Sequence, residues 1–266
     1  MSDAGLFGPS SLLWRVNREG ILLLGGGRAL ILQVAHPLVA AGVEQHSSFR
    51  EDPWGRLSRT LDLTTRIVFG STAEAEEASA RLWRVHGRVH GVSADGMAYD
   101  ARDPELLVWV HATLVDTALL VYRRYVGPLS IGELRRYYEE QKLLGEKFGV
   151  PREHQPPTFA DFNEYVASML DGGTLQVTPT LREVVDATLG LGLPRVARPL
   201  AEALNLATVG MLPPRLRDEL GLAWGPGRER LLGASQRLLR TLVPALPGIV
   251  RDFPPARSAE RRARAA

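Results

Sequence analysis

Cysteine is missing from all 266 residues. That excludes disulfides, thiolate nucleophiles, Cys-ligated zinc and iron–sulfur clusters together. It also excludes a haem held by thiolate or attached through C-x-x-C-H, leaving His, Met or Tyr to ligate any iron. Lysine is nearly missing: Lys142 and Lys147 are the only two, so the basic charge is arginine. The formal net charge is only +2. The last sixteen residues, "RDFPPARSAERRARAA", have five Arg against Asp252 and Glu260 and so carry +3 themselves. The remainder is near neutral, which excludes a nucleic-acid footprint. An apolar leader is lacking as well, since the first twenty residues include Asp3, Arg15, Arg18 and Glu19. The most apolar stretch, Ile21–Val43, is broken by Arg28, Gln33, His36 and three glycines, and reads as a buried helix after a Gly turn, not a stable membrane span. These absences predict a cytoplasmic protein.

What is present has helical spacing. "RALILQVAHPLVAAG" is apolar nearly all round, and Pro37 should kink or divide it. "DPWGRLSRTLDLTTRIVFG" opens on an Asp-Pro start and closes at Gly70. "TAEAEEASARLWRVHGRVHG" places acids first and arginines later, as a helix dipole favours. "DPELLVWVHATLVDTALLVYRRYVG" predicts a long apolar helix, and "SIGELRRYYEEQKLLGEKFGVP" an amphipathic one. Further helices are predicted at 159–170, 179–189, 194–206, 213–219 and 227–242. Extended structure is scarce, "GTLQVTP" (173–179) being the best candidate. The fold class is therefore all-α: a single globular helical domain of about eight to ten helices around a cofactor pocket. It spans residues 1–254, with 255–266 a basic, disordered tail.

Several familiar sites are excluded by their motifs. There is no G-x-x-x-x-G-K-[ST], no Glu-x-x-His, no H-E-x-x-H and no G-x-S-x-G, and the glycines at 25–27 lack dinucleotide-loop spacing. The remaining polar residues sit within apolar helices: His36 in "LILQVAHPLVAAG", His46 in "EQHSSF", and His111 in "LLVWVHATLVD". An unpaired buried polar group costs about 1–3 kcal/mol, so each must have a structural partner or a use. Arg56 and Thr60 are four apart in "RLSRT" and share a helix face, with Arg59 a turn from Arg56. In "RLWRVHGRVHG" (81–91), His86 falls on the apolar side with Leu82, Val85 and Val89, whereas Arg84, Arg88 and His90 turn away. At helical i,i+4 spacing, His86 and His90 could also share one metal ion.

With those words in order, the sequence resembles the oxygenase MpaB / rubber-oxygenase catalytic-domain family over roughly residues 15–254. The words are "LLGGGRALILQVAHPLVAAGVEQHSSFREDPWGRLSRTLDLTTRIVFG", "VHGRVHG", "YDARDPELLVWVHATLVDTALLVYRRY" and "YYEEQKLLGEKFGVP". The family includes latex-clearing proteins, helical b-type haem dioxygenases. The resemblance implies haem b, with iron held by His86, the proximal ligand and only metal ligand, and His111 second choice for that role. It implies Arg56, Arg59 and Thr60 as the distal, catalytic polar groups, with Arg59 standing where the family carries Lys. His36, His46 and Arg28 join them as cofactor-binding candidates. The acid that rubber oxygenases place upstream of the arginine word is not matched, Glu44 being nearby but outside it. The sequence is more similar to the bacterial branch without assigned substrates.

The function expected is a haem b-dependent oxygenase or oxidoreductase taking a small apolar substrate with O₂ or peroxide. The rival reading is a helical protein that binds haem or an apolar ligand without turnover, since an apolar pocket with a few polar groups serves either. The electron donor is unidentified, and a homo-oligomer is compatible with the sequence.

Overall fold

The computed structural model describes residues 3, 5–47, 53–190 and 198–264, the side chains of 53–60 lying outside that description. The described residues form fourteen α-helices and one short hairpin: α1 Leu12–Asn17, α2 Gly26–Val34, α3 Pro37–His46, α4 Pro53–Phe69, α5 Thr72–His86, β1 His90–Val92, β2 Ala98–Asp100, α6 Pro104–Tyr125, α7 Ile131–Lys147, α8 Phe159–Asp171, α9 Pro179–Leu189, α10 Arg198–Met211, α11 Pro214–Glu219, α12 Pro226–Leu242, α13 Gly248–Arg251 and α14 Pro254–Arg264. The all-α expectation holds, with more helices than the eight to ten predicted, because prolines and glycines cut the chain into short pieces. Residues 173–177 form no strand; the extended pair lies instead at β1 and β2, which are antiparallel with His90 opposite Asp100 and Val92 opposite Ala98.

Each boundary has a local cause. Pro37 divides the apolar run as expected, and the segments before and after it meet at 103°. Ser71 caps α5 and Ser130 caps α7, each in a capping box closed by the glutamate three residues on. Asp103 accepts from the Glu105 backbone N–H at 2.9 Å, and Pro104 opens α6.

Helix α6 is the spine. It is long and apolar enough to cross a membrane, but 67% of that stretch is buried inside the fold. Trp109, 1% exposed, anchors one cluster formed by α2, α3, α9 and α11, while Ala112, Val115 and Leu119 face α1, α7 and α8 in a second. The glycine triplet explains how closely α6 is approached. A Cβ at Gly25 would sit 2.5 Å from Thr117 Cγ2, and one at Gly27 would sit 2.6 Å from Thr208 Oγ1. The triplet is therefore a packing device.

The arginine-rich end overturns an expectation. Residues 254–264 are helical, and Ala256 and Ala259 are buried against Ile67, Val68 and Phe69. Ionic contacts secure the end to the start of the chain. Arg18 Nη2 reaches Asp252 Oδ2 at 2.5 Å and Glu260 Oε2 at 3.0 Å. Arg251 Nε donates to both oxygens of Glu19, at 2.8 and 3.0 Å, and the Glu19 side chain is 1% exposed. Composition suggested a solvated tail because the partners lie more than two hundred residues away.

This clasp generates the first prediction. Arg251→Ala leaves the Glu19 carboxylate buried without a cation and should lower stability by about 2–4 kcal/mol, below the full cost for a wholly buried pair because Arg251 keeps some solvent contact. Glu19→Met combined with Arg251→Leu should recover most of that loss; urea titrations of these two variants and the wild type read it directly.

Candidate functional site

The candidate residues gather where α3, α5 and the hairpin meet the start of α6. Gln45 Nε2 donates to the Val92 carbonyl at 2.9 Å, and the Tyr99 hydroxyl donates to Gln45 Oε1 at 2.7 Å. His46 Nε2 lies 3.2 Å from the His90 carbonyl, and its ring stands edge-on to Tyr99 at 6.3 Å. His46 is exposed and fastens the hairpin to α3.

His86 is the last residue of α5, half-buried, and its Nδ1 is fully buried without a hydrogen-bond partner. Burial chiefly lowers its proton affinity; the Arg102 cation lowers it further and Asp100 opposes both. Val85, placed beside His86 on the apolar side by the sequence reading, is 51% exposed instead. His90 is exposed, as expected, but sits on β1. Because α5 ends at His86, the two rings share no helix face, and the i,i+4 premise of a joint metal site fails. No group of three or more His, Asp or Glu able to hold a metal ion occurs among the described residues.

His36 precedes α3 at its N-cap, also half-buried, with Nδ1 buried and unbonded. Burial lowers its proton affinity against the opposing pull of Asp103 and Glu105. His36 and His86 thus both feel the charged segment 100–105 from different helices.

Sequence reading missed Arg102, which organises this corner. Its guanidinium lies 4.5 Å from the centre of the Trp83 ring, and Nη2 donates to the Trp83 carbonyl at 2.9 Å, while Nε is buried and unbonded. Gly87 makes room for it: a Cβ there would stand 2.3 Å from Arg102 Nη2. The "R-D-P" preceding a long apolar helix was visible, yet nothing in it showed that Arg102 folds back over α5.

His111 is different. It is 7% exposed, its Nε2 lies 2.9 Å from the Gln141 carbonyl, and its ring meets Phe148 edge-on at 5.7 Å. Since that carbonyl can only accept, Nε2 carries the proton and the buried, unbonded Nδ1 keeps a free lone pair. Gly145 packs so closely that a Cβ would lie 3.1 Å from the imidazole. Burial depresses the His111 pKa to about 4.

Arg28, predicted to bind a cofactor, is committed to protein instead. It donates to the Met211 carbonyl at 2.8 Å, to Thr117 Oγ1 at 2.5 Å and to Asp116 Oδ2 at 2.6 Å. Glu44 accepts from the Thr180 hydroxyl at 3.2 Å. Arg56, Arg59 and Thr60 lie on α4, and their side chains fall outside the described residues. An open cleft of about 470 Å³ runs between α5 and residues 146–151, with Trp83 on one wall and Phe148 on the other. It therefore approaches both the helix that ends in His86 and the ring that contacts His111.

Comparison with known families matches residues 14–244 to the ER-bound oxygenase mpaB/B′/rubber oxygenase catalytic domain. The chain belongs to that oxygenase family. Two similar relatives are the uncharacterized proteins Rv2237 of Mycobacterium tuberculosis and Mb2261 of Mycobacterium bovis. Each is 28% identical over 207 residues, covering 76% of this chain and 80% of the relative. No solved structure matches. The oxygenase-family match takes in α1 to α12 and the whole histidine corner, and stops before α13 and α14.

The His111 environment yields a pH prediction. A histidine neutral in the fold at pKa about 4, with an unfolded value near 6.5, leaves the unfolded state binding more protons between those limits. Its contribution is complete above pH 6.5 and is lost as pH falls towards 4, amounting to about 3 kcal/mol. His36 and His86 shift in the same direction and add to it. Chemical unfolding at a series of pH values should show this slope, and His111→Gln should flatten it.

Proposed function

We propose that the protein is a haem b-dependent oxygenase acting on a small apolar substrate with O₂ or peroxide, its iron held by His86. The observation that carries the reading is the unbonded, buried Nδ1 of a half-buried imidazole, beside an arginine whose Nε also lacks a partner. Buried polar atoms are nearly always hydrogen-bonded, so two unsatisfied groups at one corner need an explanation. A neutral imidazole with a free lone pair suits iron, and an unsatisfied guanidinium suits the carboxylate of a haem propionate or of a substrate. A haem asks for one protein nitrogen, so a cluster of three ligands is not required. The residues present fit the group on this side.

His86 is preferred to His111 on access. Both have a buried, unbonded Nδ1, but His111 is only 7% exposed and enclosed by α7 and Phe148, whereas His86 is half-buried at the end of α5, whose preceding turns line the open cleft. Haem iron, when bound, supplies the activation of O₂ or peroxide that side chains cannot. The chain's own contribution is positioning and electrostatics. Burial and the Arg102 cation keep the His86 nitrogen unprotonated near neutral pH, so it is available as a donor without first losing a proton. Trp83 supports the Arg102 plane and so fixes where an anionic group can sit. The family resemblance assigns the polar groups for O₂ to Arg56, Arg59 and Thr60, whose side chains lie outside the described residues. Trp83 and Phe148 offer the apolar walls against which a non-polar substrate excludes water.

The decisive measurement is the absorption spectrum of the protein reconstituted with haem b, followed by oxygen uptake with terpenoid and fatty-acyl substrates. Wild type should show a Soret band of a His-ligated haem. His86→Ala should lose at least about tenfold in haem affinity and recover its spectrum with added imidazole. Arg102→Gln should weaken haem or substrate binding with the Soret position unchanged. A His86→Ala protein with an unaltered spectrum excludes this ligand, and a haem-loaded wild type that consumes no oxygen points to storage.

A further inference from the structure

One surface of the molecule has no role in the corner just described. Pro244 to Val250, "PALPGIV", is a run of seven consecutive exposed residues without a single polar side chain. Ile249 and Val250 are 73% and 68% exposed, among the highest values for any large apolar residue here. Contiguous exposed apolar runs are rare in water unless something covers them. Helix α12 leads into this run and extends it. At 100° per residue its exposed Leu231, Leu238 and Leu242 fall on one stripe, beside the buried line of Leu232 and Val243.

The charge beside the stripe is of one sign. α12 carries Arg228, Arg230, Arg237 and Arg240 against Glu229, whose carboxylate is engaged by Trp224 Nε1 at 2.7 Å. Arg228 and Arg230 donate to backbone carbonyls, and none of the four arginines has an ion-pair partner among the described residues. Several arginines elsewhere pair with acids, among them Arg15 with Glu133, Arg136 with Glu140 and Arg215 with Glu219. An exposed aliphatic stripe flanked by unpaired arginines, running into an apolar tip, is the pattern of a segment lying in a lipid interface.

We propose that α12 and the 244–250 tip form a peripheral docking surface for an anionic lipid membrane. The tip and the leucine stripe enter the headgroup boundary, and Arg228 on one side of the stripe with Arg230 and Arg237 on the other meet lipid phosphates. A second copy of the chain is the poorer occupant, because a two-fold contact on this face would set unpaired arginines against arginines. α12 lies inside the residues that match the oxygenase family, at their C-terminal end, and most of the apolar tip lies beyond them. It holds whether or not the haem assignment does. If both hold, an apolar substrate dissolved in the bilayer would reach the enzyme by lateral diffusion.

The test is co-sedimentation of the full chain with vesicles of phosphatidylcholine, alone or mixed with phosphatidylglycerol. The wild type should partition onto the mixed vesicles and release as salt rises. Ile249→Asp with Val250→Asp should lower the partition by about tenfold or more, with an unchanged helical circular-dichroism spectrum. Arg230→Gln and Arg237→Gln should each cost about fivefold, on the anionic vesicles only. A wild type that ignores both vesicles overturns the proposal, as does an aspartate double variant that binds like wild type. A wild-type dimer that the double variant converts to monomer, without vesicle binding, assigns the face to a second copy instead.

Discussion

Enclosure of the helix Pro104–Tyr125 forces each polar group on its buried faces to find a partner within the fold. Trp109 donates its indole N–H to the Leu32 carbonyl at 3.2 Å. Thr113 receives Gln33, Thr117 receives Arg28, and His111 is held by the Gln141 carbonyl. These bonds join α2 and α7 to α6 at fixed heights along its axis. Their net worth is about 1 kcal/mol each, but leaving any one unmade costs the full desolvation of a buried donor. Register between the helices is therefore set by polar pairs, while aliphatic packing supplies most of the free energy.

The corner at His36, His86 and Arg102 gathers three of the buried polar atoms that break this rule, His111 Nδ1, Arg217 Nε and Gln236 Nε2 being others among the described residues. The same fold that satisfies Arg28 with three protein acceptors leaves the Nε of Arg102 and two imidazole nitrogens without any. Desolvation acts alike on both rings, removing the proton and leaving a lone pair. A corner of unprotonated donors beside a fixed cation is suited to a Lewis acid on one side and an anion on the other. Acid works against it twice, by protonating His36 and His86 and by destabilising the His111 packing.

Much of this architecture was legible in the residues. Asp-Pro starts and the Pro37 break are local rules, and the helices at 104–125 and 179–189 were read from the residues, whereas the helix opening at Thr72 was read past its end at His86. The His36, His86 and His111 positions were singled out because a polar residue in an apolar run is itself a signal. What sequence could not show was which ring nitrogen is held, since the partner of His111 Nε2 is the carbonyl of Gln141 thirty positions away. The hairpin was missed because its strands are three residues long and mostly exposed, leaving no alternation to read. Arg28 was misread for the opposite reason: its acceptors come from α6 and α10, remote in sequence.

The arginines show the same limit from the side of charge. Composition treats the last residues as one basic block, yet its members have different fates. Arg251 is bound to a buried carboxylate, and Arg262 donates to the Phe69 carbonyl at 2.6 Å. Those of α12, a few turns earlier, have no ion-pair partner among the described residues. An arginine's role is thus decided by whether an acid from a distant segment arrives beside it. Where one does, the charge clasps the fold; where none does, the charge remains available to whatever approaches from outside, and the exposed aliphatic stripe beside it narrows what that can be.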